Sequence, residues 1–569
     1  MYRVFIENRE YTKYTLGIPG SKENVVLERF SPLEHHLFSG DIFSVEHIEG
    51  DPIPTIKIIT SPVRNQLLAG VLILHENRTY GRSKNGRLLY KCMPDDKRLP
   101  PFLVPYDIKI GFSKKQVNKY VTFTFTEWNM GCSHPRGIIQ ETIGQVDSLD
   151  AYYEYQLYCK NLHESLTEMT KSTQRILSSS KDYPSIIQEN GNFVFTKEDQ
   201  CEGKGYVFSI DPQGSSDYDD AFRIDTNPDT GETTVTVYIA NVFVWLETLG
   251  LWSAFSRRVS TIYLPDKRRP MLPTILSENW CSLQENTYRF VFGIQWRFDA
   301  KGAQIDGEPK MIQQYIHITE NFVYESDALL SNPHYQQLFS LTKCIDPRGT
   351  CSSHDVVSLW MVKFNTACAN WLESRNTGIF RYLTDSSIMD DSNRETAHLT
   401  DSCRRAIQQW NNTIGQYSVY SVDATKYMHI TSPIRRLVDL LNQIILFRES
   451  GLVTKFSKDC VDFLENWINQ LDYINVTMRS IRKVQLDCHL LARVLRSCDT
   501  ADSIYTGVVF DKVCKNNGFF TYIVYLDSIK LVSRITVDAD MANYSQHSFQ
   551  LYLFQDEHCT KQKIKLQML

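Results

Sequence analysis

Residues 205–222 read GYVFSIDPQGSSDYDDAF, an apolar run that predicts a strand ending at Ile210, followed by a loop bearing Asp211, Asp217, Asp219 and Asp220. Four carboxylates within ten residues repel one another unless cations neutralise them. Hard oxygen donors of this kind favour Mg²⁺ or Mn²⁺. A solvated acidic turn is the competing reading, and charge alone does not separate the two. A calcium loop of the EF-hand type is excluded, because counting from Asp211 places Ser216 where glycine is needed and Phe222 where the bidentate glutamate belongs. The flanking strands and aromatic neighbours favour a divalent-metal site.

The strand pattern continues on both sides. YVFSI, TTVTVYIA and FVFGIQWRF predict strands, and segments 356–372, 437–447 and 467–494 predict helices, so residues 190–498 read as one α/β domain holding most of the chain. Upstream, Leu149, Tyr152, Tyr153, Leu157 and Leu162 fall along one helical stripe, which predicts a connector helix over 147–177 inside a helical linker spanning 147–189. Ahead of it, LLAGVLIL, RTYGRSKNGRLLY with its Lys-Asn-Gly turn, and VTFTFTEW read as strands of a small barrel over 61–146. Residues 1–60 hold shorter strand-like runs near 24–28 and 41–46, broken by Gly17, Pro19 and Gly20, as in part of a barrel. At the other end, 499–569 returns to alternating strands turned at Gly518 and Asp538, which suits a five-stranded OB barrel.

A chain of 569 residues is too long for one core and predicts several domains. With 42% hydrophobic and 22% charged residues it is neither a disordered nor a fibrous sequence. The net charge of -5 gives no global basic signal, yet it leaves room for an internal basic path. None of the 14 cysteines forms a C-x-x-C pair, which argues against a zinc knuckle or a redox motif. The N-terminus has no apolar leader, and the longest apolar run, 67–74, is too short for a bilayer. An intracellular, soluble protein of the cytoplasm or nucleus is expected.

The opening stretch closely resembles the signature of the RNase II/R (RNB) exoribonuclease family, an Ile-Asp on a strand followed at six, eight and nine residues by three more aspartates. Two further stretches resemble family motifs in the expected order: STIYLPDKRRPMLPTILSENWCSL at 260–283 and YMHITSPIRRLVDLL at 427–441. Family members carry cold-shock-like OB domains before the catalytic domain and another OB domain after it. LLAGVLILHENRTYGR and PRGIIQETIG resemble the second leading barrel of the eukaryotic exosome's catalytic subunit. No counterpart of that subunit's N-terminal endonuclease domain is expected, and the first barrel resembles a partial or degenerate cold-shock-like one.

The resemblance implies a multidomain fold, an α/β RNB catalytic domain flanked by small all-β OB barrels. It implies a processive 3′→5′ exoribonuclease that hydrolyses single-stranded RNA to 5′-nucleoside monophosphates with Mg²⁺, or Mn²⁺, as cofactor. Asp211, Asp217, Asp219 and Asp220 would hold one or two ions, with Asp219 and Arg435 as the catalytic candidates. Tyr263 and Tyr324 would stack on bases, and Arg258 and Arg436 would complete the RNA-binding set, with Arg257, Lys267, Arg268 and Arg269 adding charge near Tyr263. His429 and Ser432 would shape their loop rather than react. The implied partners are single-stranded RNA and proteins of an RNA-decay complex, the enzyme itself being monomeric and free of membrane.

Several positions depart from the family pattern. Tyr238 and Asn241 stand where His-Ile-Ala-Asp is usual, and Leu437, Gln443 and Ile444 where Tyr, His and Arg are usual. No acidic pair occurs at Ser358 and Leu359, and Lys483 lies near the place of a catalytic glutamate. Turnover and RNA-over-DNA selectivity are what these positions put in question. Two other readings therefore stand beside the enzyme: a catalytically silent RNA-binding regulator, and a scaffold subunit of an RNA-decay complex. Retention of all four aspartates favours the enzyme.

Overall fold

The computed structural model describes residues 1–21, 23–27, 30–46, 55–108, 116–179, 181–196, 205–305, 307, 310–347, 349–382, 398–413, 415, 416–419, 426–496, 503–515, 518–555 and 562–569. The chain divides into two compact units, one comprising Met1–His163, Leu264–Asp266 and Lys483–Leu569, the other Glu164–Tyr263 and Lys267–Arg482. It is a multidomain fold with an α/β part and small all-β, OB-like assemblies.

In the second unit the aspartate-bearing strand lies within a six-stranded sheet ordered Lys310–Ile318, Thr287–Phe298, Thr233–Ala240, Asp220–Thr226, Val207–Asp211 and Glu320–Val323. The order is antiparallel until the last pair, where Val207–Asp211 runs parallel to Glu320–Val323. Alternation of β-branched and aromatic residues puts Val235, Val237, Phe292, Ile294 and Trp296 in the core. Helix Ser353–Glu373 brings Trp360 to Trp296 and Phe364 to Phe292, with centroids 5.8 and 5.5 Å apart. Helix Leu437–Ser450 is buried from Leu437 to Phe447 and ends at Gly451, whose φ of 71° provides the left-handed turn that closes it.

The first unit is β-rich. Tyr2–Ile6, Tyr14–Gly17, Asn24–Val25, Ile42–Glu46 and Thr55–Thr60 form one five-stranded sheet. A closed barrel follows, in which Arg136–Gln145 meets Phe102–Pro105 in parallel and Lys119–Glu127 antiparallel. The two share a single apolar core: Phe38 stacks on Phe102 at 5.9 Å and lies 5.2 Å from Trp128. Within the barrel a Cβ at Gly70 would sit 2.8 Å from the Phe123 ring and 2.9 Å from the Met93 carbonyl oxygen, so only glycine allows the strands this close. The C-terminal five-stranded sheet, ordered Leu531–Val537, Phe520–Leu526, Ile504–Cys514, Gln546–Gln555 and Gln562–Met568, folds over Tyr522, Val524, Phe549 and Leu551.

Three expected elements differ. The connector expected as one helix over 147–177 is two, Leu149–Cys159 and Thr167–Leu177, because Asn161 takes a φ of 53° and the Leu162 N–H turns back to Leu157. The helix expected over 467–494 is Leu471–Arg496, preceded by Lys458–Ile468, which closes at Asn469. Asp220 opens a strand instead of sitting in the loop, paired with Ile239.

Phe38 is fully buried between sheet and barrel. Phe38→Ala is expected to cost about 3–5 kcal/mol through the cavity it leaves, read as a lower denaturant midpoint for the unfolding of this unit. A midpoint unchanged from wild type would show that the two assemblies do not share a cooperative core.

Candidate active site

The aspartate loop is held from three directions. Its first acid, Asp211, ends a strand paired with Val323, and the Asp211 carbonyl accepts from the Tyr324 N–H at 3.1 Å, which sets Tyr324 beside the loop. Ser282 straps the middle: its hydroxyl accepts from the Tyr218 N–H at 3.0 Å and donates to the Ser216 carbonyl at 2.9 Å. The third hold comes from the 427–441 stretch. There the Ile434 N–H donates to Asp219 Oδ1 at 2.9 Å and Arg435 Nε donates to Oδ2 at 3.1 Å.

Around this loop lies a cavity of about 520 Å³ whose lining includes Asp211, Asp217, Asp220, Tyr263, Tyr324, Arg435 and Arg436. Asp219 sits behind the lining, 3% exposed, with its charge turned to Arg435. Seven of the eight sequence-predicted site residues other than Arg258 thus meet at the cavity, and Asp219 stands directly behind it. Arg258 is spent elsewhere, donating to the carbonyls of Glu164 at 2.8 Å and Pro270 at 2.7 Å. Of the basic residues near Tyr263, Arg268 reaches the loop, whereas Arg257 lies over Tyr473 and donates to Gln470.

The electrostatics are those of crowded, buried acids. Burial pushes Asp211 up to about 7, Asp217 adding to it while the Ser209 hydrogen bond and Arg435 oppose it. Asp219 is likewise pushed to about 7 by burial against the pull of Arg435 and the Ile434 N–H. Asp220 is raised well above the usual carboxylate range by burial and then by Asp211 and Asp219. Burial and three arginines lower His429 far below its usual value, which favours the neutral ring, and it shares a 2.8 Å hydrogen bond with Tyr417.

Among the described residues no group of three or more His, Cys, Asp or Glu side chains is arranged to hold a metal ion. Two of the acids face arginines, Asp217 pairing with Arg268 and Asp219 with Arg435. Yet Oδ2 of Asp211 and Oδ2 of Asp220 are buried without a hydrogen-bond partner. A buried carboxyl oxygen left without a partner costs roughly 1–3 kcal/mol, more if it is charged, unless a cation or proton meets it. As hard donors beside two further carboxylates they fit a divalent metal ion.

Two residues at the site, His354 and Asp439, carry no role in the sequence reading, and a third, Arg268, carries only a shared one. His354 lies on Tyr324 with centroids 3.8 Å apart and planes 13° apart, covering one face of the ring expected to receive a base. Its only sequence signal is the Ser352/Asp355 cap that starts the helix. Arg268, quoted as one of several basic residues, is singled out by its contact with Asp217. Asp439, 0% exposed, accepts from the Ser432 N–H at 2.7 Å and from Arg436 at 2.9 Å, and so holds the turn that carries both arginines.

Residues 203–330 match the RNB domain and residues 89–158 the Dis3-like cold-shock domain 2 (CSD2). DIS3-like exonuclease 2 of Schizosaccharomyces pombe is 26% identical over 285 residues, 48% of this chain and 29% of that protein. Inactive exonuclease DIS3L2 of Arabidopsis thaliana is 28% identical over 226 residues, 38% of this chain and 20% of that protein. The chain matches less than a third of the length of these curated relatives. Among solved structures, Mycoplasma genitalium RNase R in complex with ribose-methylated single-stranded RNA superposes over 100% of both chains with a TM-score of 0.66 at 16% identity, a likeness of fold.

Removing Asp439 leaves half-buried Arg436 without its anion and the buried Ser432 N–H without an acceptor. Asp439→Ala is expected to destabilise the chain by about 3–5 kcal/mol, measured by chemical denaturation. A loss under about 1 kcal/mol would show the turn to be held by its backbone alone.

Proposed function

We propose that this chain, whose residues 203–330 match the RNB domain, is an RNB-family, Mg²⁺-dependent, processive 3′→5′ exoribonuclease that hydrolyses single-stranded RNA to 5′-nucleoside monophosphates in RNA decay or processing. The observation that carries the reading is the convergence of residues from 211–220, Tyr263 and residues from 427–436 on one cavity, with two orphaned carboxyl oxygens beside a fixed guanidinium.

Asp211, Asp217, Asp219 and Asp220 are the residues proposed to hold the metal, which when bound activates water and offsets charge on the phosphate. Arg435 is aimed by Asp219 and by its own carbonyl, which accepts from the Thr261 N–H at 2.9 Å and the Ser260 hydroxyl at 2.9 Å. Its remaining N–H groups then meet the scissile phosphate as negative charge grows there. Tyr324, backed by His354, is a preformed platform for the terminal base, and Tyr263 meets the strand at the cavity's edge. Arg436 supplies charge along the same wall. The domain division proposed is 1–60 partial cold-shock-like barrel, 61–146 cold-shock-like OB domain, 147–189 connector, 190–498 RNB domain and 499–569 OB domain. The partners proposed are single-stranded RNA and RNA-decay proteins, for a monomeric enzyme of the cytoplasm or nucleus. Among the described residues no helix is long and apolar enough to cross a membrane.

A second reading, a silent RNA-binding member or scaffold, is favoured by the arginine partners of Asp217 and Asp219 and by the inactive Arabidopsis relative. Incubating the purified chain with end-labelled single-stranded RNA and Mg²⁺ separates the two. A ladder ending in mononucleotides supports the exonuclease, and intact RNA that remains bound supports the silent member.

Asp219→Asn is expected to abolish cleavage while RNA affinity changes by less than about threefold, because stacking and phosphate contacts remain. Mutant and wild-type rates that coincide on one substrate would remove Asp219 from the chemistry. Tyr324→Ala is expected to lengthen the final product by a few nucleotides, since base stacking of about 1–3 kcal/mol no longer holds a short 3′ end in register. An unchanged limit product on a sequencing gel would return Tyr324 to a packing role.

A further inference from the structure

The hairpin pairing Ile262–Tyr263 with Arg268–Arg269 places Tyr263 opposite Arg268 and turns both side chains to Asp217. Arg268 Nη1 donates to Asp217 Oδ1, while Nη2 donates to the Ser216 hydroxyl and, at 2.5 Å, to Glu278 Oε1. The Tyr263 hydroxyl adds a contact to Asp217 Oδ2 at 3.5 Å. Asp217, its side chain 10% exposed, is therefore already neutralised by a guanidinium, whereas Asp211 and Asp220 keep an oxygen without a partner.

We propose that Arg268, shared between Asp217 and Glu278, competes with the divalent cation for Asp217 and so sets how tightly the site takes its metal. The inference rests on the metal-site reading above. A cation drawing on all four aspartates needs the Asp217 charge that Arg268 now holds, and a guanidinium left at that carboxylate repels it. Glu278 makes the exchange reversible. Its side chain, 33% exposed, remains a partner for Arg268 when Asp217 is surrendered, so the arginine passes between two acids without being stranded. Two neighbouring substitutions then act with opposite sign. Neutralising Arg268 removes the competitor and tightens metal binding; neutralising Glu278 leaves Arg268 only Asp217 and Ser216 and weakens it. Had Arg268 merely braced the loop, both substitutions would weaken binding.

The test titrates Mn²⁺ alone into the full chain, without RNA, and follows free Mn²⁺ by electron paramagnetic resonance for wild type, Arg268→Gln, Glu278→Gln and Asp220→Asn, with circular dichroism melts to verify folding. Arg268→Gln is expected to bind roughly five- to tenfold tighter and Glu278→Gln about two- to threefold weaker, with Asp220→Asn losing the site. If Arg268→Gln matches wild type or binds more weakly while Asp220 is still required, the competitor is overturned and the metal site stands. If Arg268→Gln does not fold, Glu278→Gln decides alone: weaker binding supports the competitor, equal or tighter binding overturns it. Absence of Mn²⁺ binding in wild type and Arg268→Gln alike, or binding indifferent to Asp220→Asn, overturns the metal-site reading and the competitor with it.

Discussion

One buried carboxylate ties the fold of the α/β domain to its cavity. Asp219 accepts from the Ile434 N–H and from Arg435 Nε, joining positions 215 and 216 residues apart in the chain. Its side chain is 3% exposed, so neither oxygen can fall back on water, and each must be met by protein. The loop before it is strapped by Ser282, and the turn after Ser432 is held by Asp439, so both sides of the contact are fixed before Asp219 joins them. The position of Arg435 at the cavity follows from this chain of contacts more than from its own packing, since its side chain stays 41% exposed.

The same economy of charge extends around the cavity. Four acids and several bases lie close together in little solvent, and each acid meets its charge differently. Asp219 and Asp217 face arginines; Asp211 and Asp220 keep an unpaired oxygen and are pushed by burial toward the protonated form. Such an arrangement stabilises the fold poorly and persists where it serves binding or chemistry. A cation entering there would relieve the two unpaired oxygens together, which is the physical ground for the metal-site proposal.

Much of this was legible in the sequence because the decisive patterns are local. The 3.6-residue and two-residue periodicities placed helices near 356–372 and 437–447 and strands at 206–210 and 233–240, the first of which extends in the structure to Asp211. Motif spacing carried Asp211, Asp217, Asp220, Tyr263, Tyr324, Arg435 and Arg436 to one cavity. What escaped was set by side-chain direction in three dimensions. Nothing in the string LPDKRRPM distinguishes the arginine that meets Asp217 from its neighbour, which donates to the Lys267 carbonyl. His354 sits 30 residues from Tyr324, and only the packing of its helix on the sheet lays one ring on the other. Helix breaks at 160–166 and 469–470 were missed for a related reason: each is made by a non-glycine turn that carries no strong punctuation.

The departures from the family pattern gain a physical meaning from their surroundings. Asn241 caps helix Val242–Thr248 through the Val244 N–H at 3.2 Å and donates to Gln313 Oε1 at 3.1 Å. Gln443 accepts from the Phe243 N–H at 3.3 Å and donates to the Ala240 carbonyl at 3.1 Å. Where the family pattern has an acid and a histidine, this chain thus has two neutral amides gripping the same strand-to-helix junction. Both are 0% exposed, a depth at which an uncharged donor–acceptor pair avoids the desolvation cost an ion pair carries. Neither lines the cavity, so these replacements alter the interior behind the site rather than its wall. Ser358 does line it, beside Asn365, whose carboxamide is already committed to the Ile430 N–H at 3.0 Å and the Tyr427 hydroxyl at 3.0 Å. The wall offered by helix Ser353–Glu373 mixes apolar Val357, Met361 and Val362 with His354, Ser358 and Asn365 and carries no acid, so a sugar hydroxyl placed against it would meet neutral groups.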